Sequence, residues 1–388
     1  MARLFLLGVV ALAIVVFGFS LIEVSGGSDV TASAVLIDTS GDTSGFERAI
    51  EPLDWQFPRD FGAHPAFQTE WWYYTGNVQT EDGRRFGYQF TIFRRAIAPP
   101  NETASSGSEW RSDQLYMAHF GLSDVADERF FHEERFSRGG AGLAGATVDP
   151  VYRVWLEDWQ VIALDASAET TRITARMAGS AALDLTLQQI KPPALQGENG
   201  LSAKSGEVGN ASYYYSLTRL ATEGTITIGD EVFTVAGATW KDHEFGTSAL
   251  GAGALGWDWF GLQFDDNREL MVGQIRLADG GRDPNFGGLL VYPDGSTRYL
   301  PSEAFTIESV NTWTSPHTGA VYPSGWTITV DTGEAEPLRL TLTPQMLDQE
   351  LHGGGIAYWE GTVRIEGDVT GYGYAELTGY VDAMTGRF

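Results

Sequence analysis

Apolar and polar residues alternate along most of the chain from about residue 50 onward. Phe86, Tyr88, Phe90 and Ile92 are separated by polar or small residues, and an Asp-Gly pair at 82–83 precedes them. A period of two residues is typical of β-strands with one buried face, and Asp-Gly favours a hairpin turn. No long segment has the apolar spacing of a helix, and 47 glycines interrupt the chain. The pattern therefore predicts an all-β protein of antiparallel sheets, either a sandwich or a barrel.

Four short sequence words recur in the same order, which indicates an internal duplication. The pairs, each placed by its first residue, are WYYTGNVQ at Trp72 with WDWFGLQF at Trp257, LDLTL at Leu183 with LRLTL at Leu338, YYYSLTRL at Tyr213 with YWEGTVRI at Tyr358, and GATWKD at Gly237 with GYGYAE at Gly371. This alignment sets Gly76 against Gly261 and Trp240 against Tyr374.

The duplication predicts two tandem β-domains, at residues 50–245 and 257–388, joined by a linker at 246–256. The linker, GTSALGAGALG, is rich in small residues, which suits a short crossing between packed domains. The segment from Trp240 to Glu244 then ends the first copy, and the segment from Trp257 to Phe264 begins the second. Their aromatic and acidic residues are expected to meet at the seam between the domains.

The first residues predict export from the cytoplasm. Arg3 precedes an uncharged apolar run at residues 4–22, which is close to the roughly 20 residues that span a bilayer as a helix. An Ala-Ser-Ala sequence at 32–34 resembles a cleavage site but lies far from this run. We expect residues 1–34 to form an N-terminal hydrophobic helix, either a cleaved signal peptide or a membrane anchor. A linker at 35–49 follows, and a periplasmic or cell-surface location is expected for the rest.

Composition narrows the classes of function. The absence of cysteine from the sequence excludes disulfides, thiolate metal sites and cysteine nucleophiles. The net charge of −26 disfavours nucleic acid phosphates and anionic lipid headgroups as partners. The six histidines show no HxH or HExxH spacing, and the sequence has no GxSxG motif. We therefore expect neither a metal site nor a serine hydrolase, and no cofactor.

Five aromatic-rich segments stand in order between about residues 58 and 380. They are HPAFQTEWWYYTGNV at His64, GRRFGYQFTIFRRA at Gly83, NASYYYSLTRL at Asn210, WKDHEFGTSALG at Trp240 and GWDWFGLQFDD at Gly256. In these segments the chain resembles the lipocalin-like family of AttH-like proteins and carotenoid 1,2-hydratase (hydroxyneurosporene synthase), and it looks closer to the AttH-like branch.

The resemblance implies a fold and two kinds of activity. The fold is a pair of lipocalin-like β-barrels that hold a hydrophobic ligand such as an isoprenoid, polyketide or lipid. For the hydratase branch the resemblance implies cofactor-free addition of water to an isoprenoid double bond. For AttH-like proteins it implies association with an ABC-type export system.

Asp242, His243 and Glu244 form the first candidate catalytic group. Histidine titrates near neutrality, and a nearby carboxylate can fix its tautomer and raise its basicity. Strand alternation places both carboxylates on the face of Trp240, and His243 on the opposite face. The resemblance implies a functional histidine in a motif of this kind in the hydratases, where a tryptophan stands in place of Phe245. The structural alternative is a histidine whose hydrogen bonds are satisfied by backbone groups at a strand end.

Asp258 is the second candidate acid, because it lies between Trp257 and Trp259. Hydration of an alkene needs a strong proton donor, a dry pocket and aromatic faces that stabilise a cation. A buried carboxyl group beside indoles meets these needs. Alternation, however, directs Asp258 away from both indoles. It then either faces the other domain across the seam or makes structural hydrogen bonds.

Glu70 shares one face of its predicted strand with Trp72 and Tyr74. If that face is inward, the carboxylate must be paired or protonated, and Arg94 or Arg95 across the predicted hairpin is a suitable structural partner. His64 is a weaker candidate for a functional role. The predicted ligand-binding residues are the acidic, histidine and aromatic side chains of these segments, namely Glu70, Trp72, Tyr74, His119, Trp240, Trp257 and Trp259.

Three functions are compatible with these observations. The first is an extracytoplasmic protein that binds a hydrophobic molecule, alongside an ABC-type exporter. The second is a hydratase, a carbon-oxygen lyase, that acts through His243 and the neighbouring carboxylates. The third is a non-catalytic scaffold subunit. An enzyme predicts that His243→Ala or Asp242→Ala abolishes turnover while ligand uptake persists, whereas a scaffold predicts that no apolar ligand binds.

Overall fold

The computed structural model describes residues 43–100, 112–247, 250–251 and 253–384. Strands dominate this part of the chain. They are β1 (Thr69–Gln79), β2 (Arg85–Ala96), β3 (Gln114–Asp124), β4 (Arg129–Arg138), β5 (Ala144–Thr147), β6 (Arg153–Leu156), β7 (Trp159–Ala163), β8 (Thr170–Met177), β9 (Ala181–Gln189), β10 (Ala194–Leu195), β11 (Leu201–Ala203), β12 (Ala211–Ile228), β13 (Glu231–Gly246), β14 (Ala254–Phe264), β15 (Glu269–Leu277), β16 (Gly288–Val291), β17 (Thr297–Leu300), β18 (Phe305–Ser309), β19 (Thr312–Thr314), β20 (Val321–Pro323), β21 (Trp326–Val330), β22 (Leu338–Pro344), β23 (Glu350–Leu351), β24 (Tyr358–Gly367) and β25 (Gly371–Leu377).

Helical structure in the described residues is confined to short 3-10 turns at Arg59–Phe61, Gly140–Gly142 and Ser302–Ala304. The apolar run at residues 4–22, for which we predicted a helix, lies outside the described residues. Within the part of the chain that is described, no helix has the length and apolar character needed to cross a membrane.

Two large antiparallel sheets, each nearly closed into a barrel, make up the fold. The first, which we call domain 1, has the strand order β4-β3-β2-β1-β13-β12-β9-β8-β7-β6-β5. The second, domain 2, has the order β17-β16-β15-β14-β25-β24-β22-β21-β18. The series β2-β1-β13-β12-β9-β8 in domain 1 therefore corresponds to β15-β14-β25-β24-β22-β21 in domain 2. The all-β prediction is confirmed, and the matching strand orders support the duplication.

Each sheet encloses its own hydrophobic core, and a further apolar layer lies between the sheets. Trp72 and Tyr74 belong to the core of domain 1, whereas Trp326 and Trp359 belong to the core of domain 2. We call the layer between the domains the seam cluster. It consists of Tyr73, Tyr214, Trp240, Trp259, Met271 and Tyr374, with Trp71 and Trp257 packed against it.

The pairing registers correct the alignment of the two copies. In domain 1 Trp240 lies opposite Thr75, whereas in domain 2 its repeat partner Tyr374 lies opposite Gly261. The equivalent of Gly261 is therefore Thr75 and not Gly76. The sequence alignment of the first strands was wrong by one residue.

This slip explains why aligned aromatic residues face different surroundings. Trp72 lies inside domain 1, whereas Trp257 and Trp259 lie at the seam. A shift of one residue exchanges the two faces of a strand. The counterparts of the two seam indoles are therefore Trp71 and Tyr73, which also belong to the seam cluster.

Candidate functional site

A pocket between the two domains collects the aromatic residues of the seam. It holds about 1100 Å³ of empty space, part of which is open to solvent. Most of its walls are aromatic or aliphatic. The apolar lining residues are Trp71, Tyr73, Phe93, Tyr214, Leu250, Trp257, Trp259, Ile275, Phe286, Ile356, Tyr358 and Met384. Both domains contribute to this set, so the pocket requires the two domains to be packed together.

Strand alternation decides which side chains reach this interdomain pocket. Tyr73 leaves β1 on the face opposite Trp72, and Asp242 and Glu244 leave β13 on the face opposite His243. The alternation predicted for residues 240–244 is confirmed. It divides the predicted catalytic group between two environments, because only the two carboxylates line the pocket.

Asp242 is a fully buried carboxyl group that is surrounded by neutral hydrogen-bond donors. It accepts hydrogen bonds from Tyr214 Oη at 2.6 Å, Ser216 Oγ at 2.5 Å and Trp240 Nε1 at 2.6 Å. Trp259 of domain 2 donates to the same Tyr214 hydroxyl at 3.2 Å. Burial raises the pKa of Asp242 to about 7, although these hydrogen bonds oppose the shift. Asp242 can therefore hold or release a proton near neutral pH.

Two further carboxyl groups come from domain 2. Glu360 on β24 pairs with Glu376 on β25; Glu360 is fully buried and Glu376 is partly buried. Burial raises the pKa of Glu376 to about 8, and burial together with the neighbouring Glu376 raises the pKa of Glu360 well above its usual range. Glu376 lines the interdomain pocket. The site therefore contains carboxylic acids that are protonated at neutral pH.

Glu244 differs from these groups because a cation neutralises it. Its carboxylate accepts a hydrogen bond from Ser212 and lies 2.5 Å from Lys204 Nζ. Lys204 also lies 4.8 Å from the centre of the Phe286 ring. Glu244 and Lys204 form a charged pair in one wall of the pocket. Together with Asp242, Glu376 and His119, this pair supplies the titratable side chains of a mainly apolar lining.

His243 lies inside domain 1 and not in the interdomain pocket. It is fully buried, with its ring stacked on Trp72 at a centroid distance of 4.9 Å. Its Nε2 atom is 2.8 Å from Glu70 Oε1, and its Nδ1 atom is 3.0 Å from Tyr215 Oη. Burial lowers the pKa of His243 to about 4, against the opposing effect of Glu70. The structure thus separates His243 from the acids that sequence analysis grouped with it, and its partners are side chains where the structural alternative expected backbone groups.

Glu70 is the centre of a buried polar network in domain 1. Arg94 Nε lies 2.8 Å from its Oε2 atom, which realises the predicted ion pair. His64 and His243 both contact its Oε1 atom at 2.8 Å. Burial alone would raise the pKa of Glu70, but Arg94 and the two histidines hold it below its usual range. Glu70 is therefore a charged structural anchor.

The ligand atoms of His64, Glu70 and His243 lie within 4.8 Å of one another, which raises the question of a metal ion. His64 Nδ1 and His243 Nε2 each lie 2.8 Å from Glu70 Oε1, which is a hydrogen-bond distance. These contacts therefore need no bridging ion. Arg94 takes the second carboxylate oxygen. A cation beside Arg94 would meet like charge, so this group is best described as a hydrogen-bonded network.

His119 does line the pocket, as a predicted ligand-binding residue should. Its Nδ1 atom is 2.8 Å from Tyr358 Oη, and its Nε2 atom is 2.9 Å from Glu134 Oε2. These contacts join β3 and β4 of domain 1 to β24 of domain 2. His119 thus holds the Tyr358 hydroxyl at the pocket wall.

Asp258 points away from the pocket, as alternation predicted. It accepts hydrogen bonds from Gln274 Nε2 at 2.8 Å and Tyr380 Oη at 2.9 Å, and it lies 3.0 Å from Arg276 Nε. Burial raises its pKa, and Arg276 opposes this. All these partners belong to domain 2, so the possibility that Asp258 faces domain 1 across the seam was wrong. Its contacts match the structural alternative.

The predicted ligand-binding residues thus fall into three places. His119, Trp257 and Trp259 line the pocket. Trp240 lies in the seam cluster and donates a hydrogen bond to Asp242. The residues that lie inside domain 1, away from the pocket, are Glu70, Trp72 and Tyr74.

Sequence analysis did not single out Glu360 or Glu376 as site residues. A signal existed for Glu376, because the repeat alignment set it against Asp242 in the last strand of each copy. Glu360 carries no motif that would distinguish it from a surface glutamate. Only the pairing of β24 with β25 shows that it is buried beside Glu376.

The fold and the pocket define a lipocalin-like protein of two β-barrels with an apolar cavity between them. The AttH-like family profile matches residues 48–380, and the chain belongs to this family. No curated protein sequence matches the chain.

Two solved structures show the same architecture. A putative AttH from Nitrosomonas europaea is 34% identical, with a TM-score of 0.75, and the match covers 87% of this chain and 100% of that one. Kievitone hydratase from Nectria haematococca is 14% identical, with a TM-score of 0.64, and the match covers 87% of this chain and 98% of that one. At 14% identity the second likeness concerns the fold alone.

Proposed function

We propose that this protein binds a hydrophobic small molecule in the interdomain pocket. The observation that carries the proposal is the apolar lining contributed by both domains, with Trp71 and Tyr73 from one side and Trp257 and Trp259 from the other. Ligand pockets are typically apolar concavities with a few placed polar groups, and they often lie at domain interfaces. An elongated isoprenoid, polyketide or lipid chain suits such walls.

Ligand binding can be tested with a long-chain isoprenoid alcohol and the intrinsic tryptophan fluorescence of the protein. We expect saturable quenching in the wild type and at least ~tenfold weaker binding for Trp257→Ala, because a buried aromatic contact is worth a few kcal/mol. Trp155→Ala is the matched control, since Trp155 lies outside the pocket in β6 of domain 1. Equal affinity of the Trp257 and Trp155 variants would refute binding at this pocket.

The buried acids favour a second candidate function, hydration of an isoprenoid double bond. A protonated Asp242 would transfer its proton to an alkene carbon, and the indoles of Trp257 and Trp259 would stabilise the resulting cation. Water would then form the new C–O bond and return a proton to the Asp242 carboxylate. One hydrogen and one hydroxyl are added, and the carboxyl group is regenerated.

Hydration can be measured by incubating the protein with acyclic isoprenoid alkenes in isotopically labelled water and analysing the products by mass spectrometry. We expect incorporation of one labelled oxygen by the wild type, and loss of turnover with retained binding in Asp242→Asn. Asp258→Asn is the control. Asp258 is also a buried acid and lies between Trp257 and Trp259 in the sequence, but its side chain is outside the pocket. Full turnover by the Asp242 variant would eliminate this mechanism and leave binding intact as a function.

We also propose that the protein acts outside the cytoplasm, together with an ABC-type exporter. The apolar run at residues 4–22 supports export, and the family relationship supports the partner. Cell fractionation of the full chain in its host tests the location. Recovery only in the soluble cytoplasmic fraction would contradict it.

A further inference from the structure

The basic side chains in the lining of the interdomain pocket already have acidic partners inside the protein. Two basic residues, Lys204 and His119, stand among the described lining residues. Lys204 Nζ lies 2.5 Å from the Glu244 carboxylate, and His119 Nε2 lies 2.9 Å from Glu134 Oε2. An acidic ligand would therefore find no basic side chain in the described lining that lacks a carboxylate partner.

The other two acidic residues of the lining are in the opposite situation. Asp242 and Glu376 have no ion-pair partner among the described residues, and burial raises the pKa of Asp242 to about 7 and that of Glu376 to about 8. Glu376 is only partly buried, so its carboxyl group retains accessible surface. A carboxylate ligand would bring a further negative charge beside these two acids, whereas an uncharged ligand would not.

Tyr73 adds an unpaired hydroxyl group to the same wall. Its side chain lines the pocket, is 6% exposed, and packs edge-on against Trp259 at a centroid distance of 5.4 Å. Burial and the neighbouring Glu360 raise the pKa of Tyr73 well above its usual range. Within the part of the chain that is described, however, the Tyr73 hydroxyl makes no hydrogen bond. A buried polar group without a partner costs free energy, which an oxygen atom of a ligand would recover.

Uncharged oxygen groups fit these donors better than a carboxylate does. A phenol and a protonated carboxyl group each donate one O–H, which a carbonyl oxygen accepts, and an alcohol both donates and accepts. A carboxylate also accepts hydrogen bonds, but burial of its charge is costly unless a cation pairs with it. The described lining offers the hydrogen bonds without an unpaired cation.

We propose that the interdomain pocket selects uncharged apolar molecules that carry a carbonyl or hydroxyl group, which Tyr73 and Glu376 hydrogen-bond, and that it discriminates against carboxylates. This inference rests on the proposed binding function and narrows its ligand class to ketones and alcohols with apolar chains. Tyr73 belongs to β1 of domain 1 and Glu376 to β25 of domain 2, so the ligand oxygen would lie where the two domains meet.

Four linear probes with the same number of carbon atoms test the selectivity, namely dodecane, dodecanol, methyl decyl ketone and dodecanoate. Quenching of the tryptophan fluorescence of the full chain at neutral pH gives the affinity for each probe. We expect dodecanol and the ketone to bind at least ~fivefold more tightly than dodecane, because dodecane leaves the buried hydroxyl unpaired. We expect dodecanoate to bind at least ~tenfold more weakly than dodecanol, because its charge stays unpaired.

Two positions show whether the named side chains recognise the oxygen. Tyr73→Phe removes only the hydroxyl, so it should weaken binding of dodecanol and the ketone and leave binding of dodecane unchanged. Tyr374→Phe is the matched control, because Tyr374 belongs to the same seam cluster but does not line the pocket. Glu376→Gln keeps an uncharged donor and should retain the preference for oxygen-bearing probes, whereas Glu376→Leu should reduce it.

The charge of Lys204 provides a test that depends on gained binding. Glu244→Gln leaves Lys204 without its carboxylate partner in the pocket wall. We expect this variant to bind dodecanoate at least ~fivefold more tightly than the wild type does, with little change for dodecanol, since a close unpaired cation now attracts the anion. Circular dichroism of each variant separates altered binding from loss of structure.

The selectivity is overturned if the wild type binds dodecanoate as tightly as dodecanol. It is also overturned if Tyr73→Phe and Glu376→Leu both keep the full preference for dodecanol over dodecane. In both cases the proposed binding of a hydrophobic molecule would stand, because the probes still bind. Absence of binding by all four probes, dodecane included, would instead overturn the binding function itself, and this inference with it.

Discussion

Contact with a cation distinguishes two buried carboxyl groups of this protein, Glu70 and Asp242. Glu70 and Asp242 are both fully buried, yet the pKa of Glu70 lies below its usual range and that of Asp242 rises to about 7. Arg94 contacts Glu70, whereas the hydrogen-bond partners of Asp242 are neutral. Burial favours the neutral acid, and at Glu70 the close charge of Arg94 and the two histidine contacts reverse that preference. Glu70 is accordingly a structural ion, and Asp242 is a group that titrates.

The titration of Asp242 predicts a pH-dependent cost to stability. The unfolded carboxyl group ionises near its ordinary value of 3.8, whereas the folded one stays protonated up to about pH 7. Between these values the folded state binds more protons, so the free energy of unfolding falls as pH rises through this window. Since one pKa unit corresponds to about 1.4 kcal/mol, the loss is at most about 4 kcal/mol. Asp242→Asn, a neutral mimic of the acid, should lack this loss.

Thermal unfolding of the wild type and Asp242→Asn between about pH 4 and pH 8 measures this effect. We expect the melting temperature of the variant minus that of the wild type to increase as pH increases. Asp184→Asn is the control, because Asp184 is exposed and pairs with exposed Arg172. A constant difference between wild type and Asp242→Asn across the range would show that Asp242 is ionised throughout.

Removal of the charge on Glu70 should destabilise domain 1 strongly. Glu70→Gln leaves Arg94 buried without its counterion and weakens two histidine contacts. Loss of one partner of a buried ion pair typically costs about 3–5 kcal/mol. Urea denaturation at neutral pH should show this loss, whereas Asp184→Asn should change stability by less than about 1 kcal/mol. A change of similar size in both variants would contradict the anchoring role of Glu70.

At the scale of the strand, alternation could be predicted from the sequence but register could not. The opposite faces of Asp242 and His243 follow from the two-residue period alone, and the structure has them as predicted. The alignment of Gly76 with Gly261 failed because the two aromatic-rich segments that begin at Trp72 and Trp257 stay similar when one is shifted by one residue. Only the hydrogen-bonded partners of β1 and β14 fix the correct offset. That offset decides which aromatic residues reach the pocket.

Close packing at Gly76 in β1 predicts a large effect for a small substitution. A Cβ atom at this position would lie 2.3 Å from the ring of Tyr88, which is fully buried and hydrogen-bonded to Thr239. Gly76→Ala therefore forces the ring or the strand to move, at a cost of about 1–3 kcal/mol. Gly206→Ala is the control, because the nearest side-chain atom lies 3.7 Å away there. Equal stability of the two variants in urea would mean that the Tyr88 ring moves freely.

At the scale of the whole molecule, the functional features lie between domains. The interdomain pocket draws residues from both sheets. The sequence indicates two copies of one unit, but it contains no periodic signal for how their outer faces meet. Glu376 becomes a neighbour of Asp242 only through that packing, and Glu360 lies beside Glu376, which is why both were missed as site residues.

An ion-pair network outside the lining of the pocket also joins the two domains. Glu269 at the start of β15 is fully buried in domain 2. Its carboxylate lies 2.7 Å from Lys191 Nζ and 2.5 Å from Arg219 Nε, and both cations belong to domain 1. Thr218 Oγ1 adds a hydrogen bond at 3.2 Å. Three side chains of one domain thus converge on a single carboxylate of the other.

Glu269→Gln should therefore weaken the coupling between the domains more than it weakens either barrel. Buried Lys191 and partly buried Arg219 would lose their counterion, and loss of one partner of a buried ion pair typically costs about 3–5 kcal/mol. We expect calorimetry to show one unfolding transition for the wild type and two for the variant, because each sheet keeps its own core. Asp266→Asn, which removes a partly exposed ion pair with Arg268 inside domain 2, should leave a single transition. A single unshifted transition for Glu269→Gln would mean that the apolar seam alone couples the barrels, and the pocket would then depend on the seam cluster and not on this network.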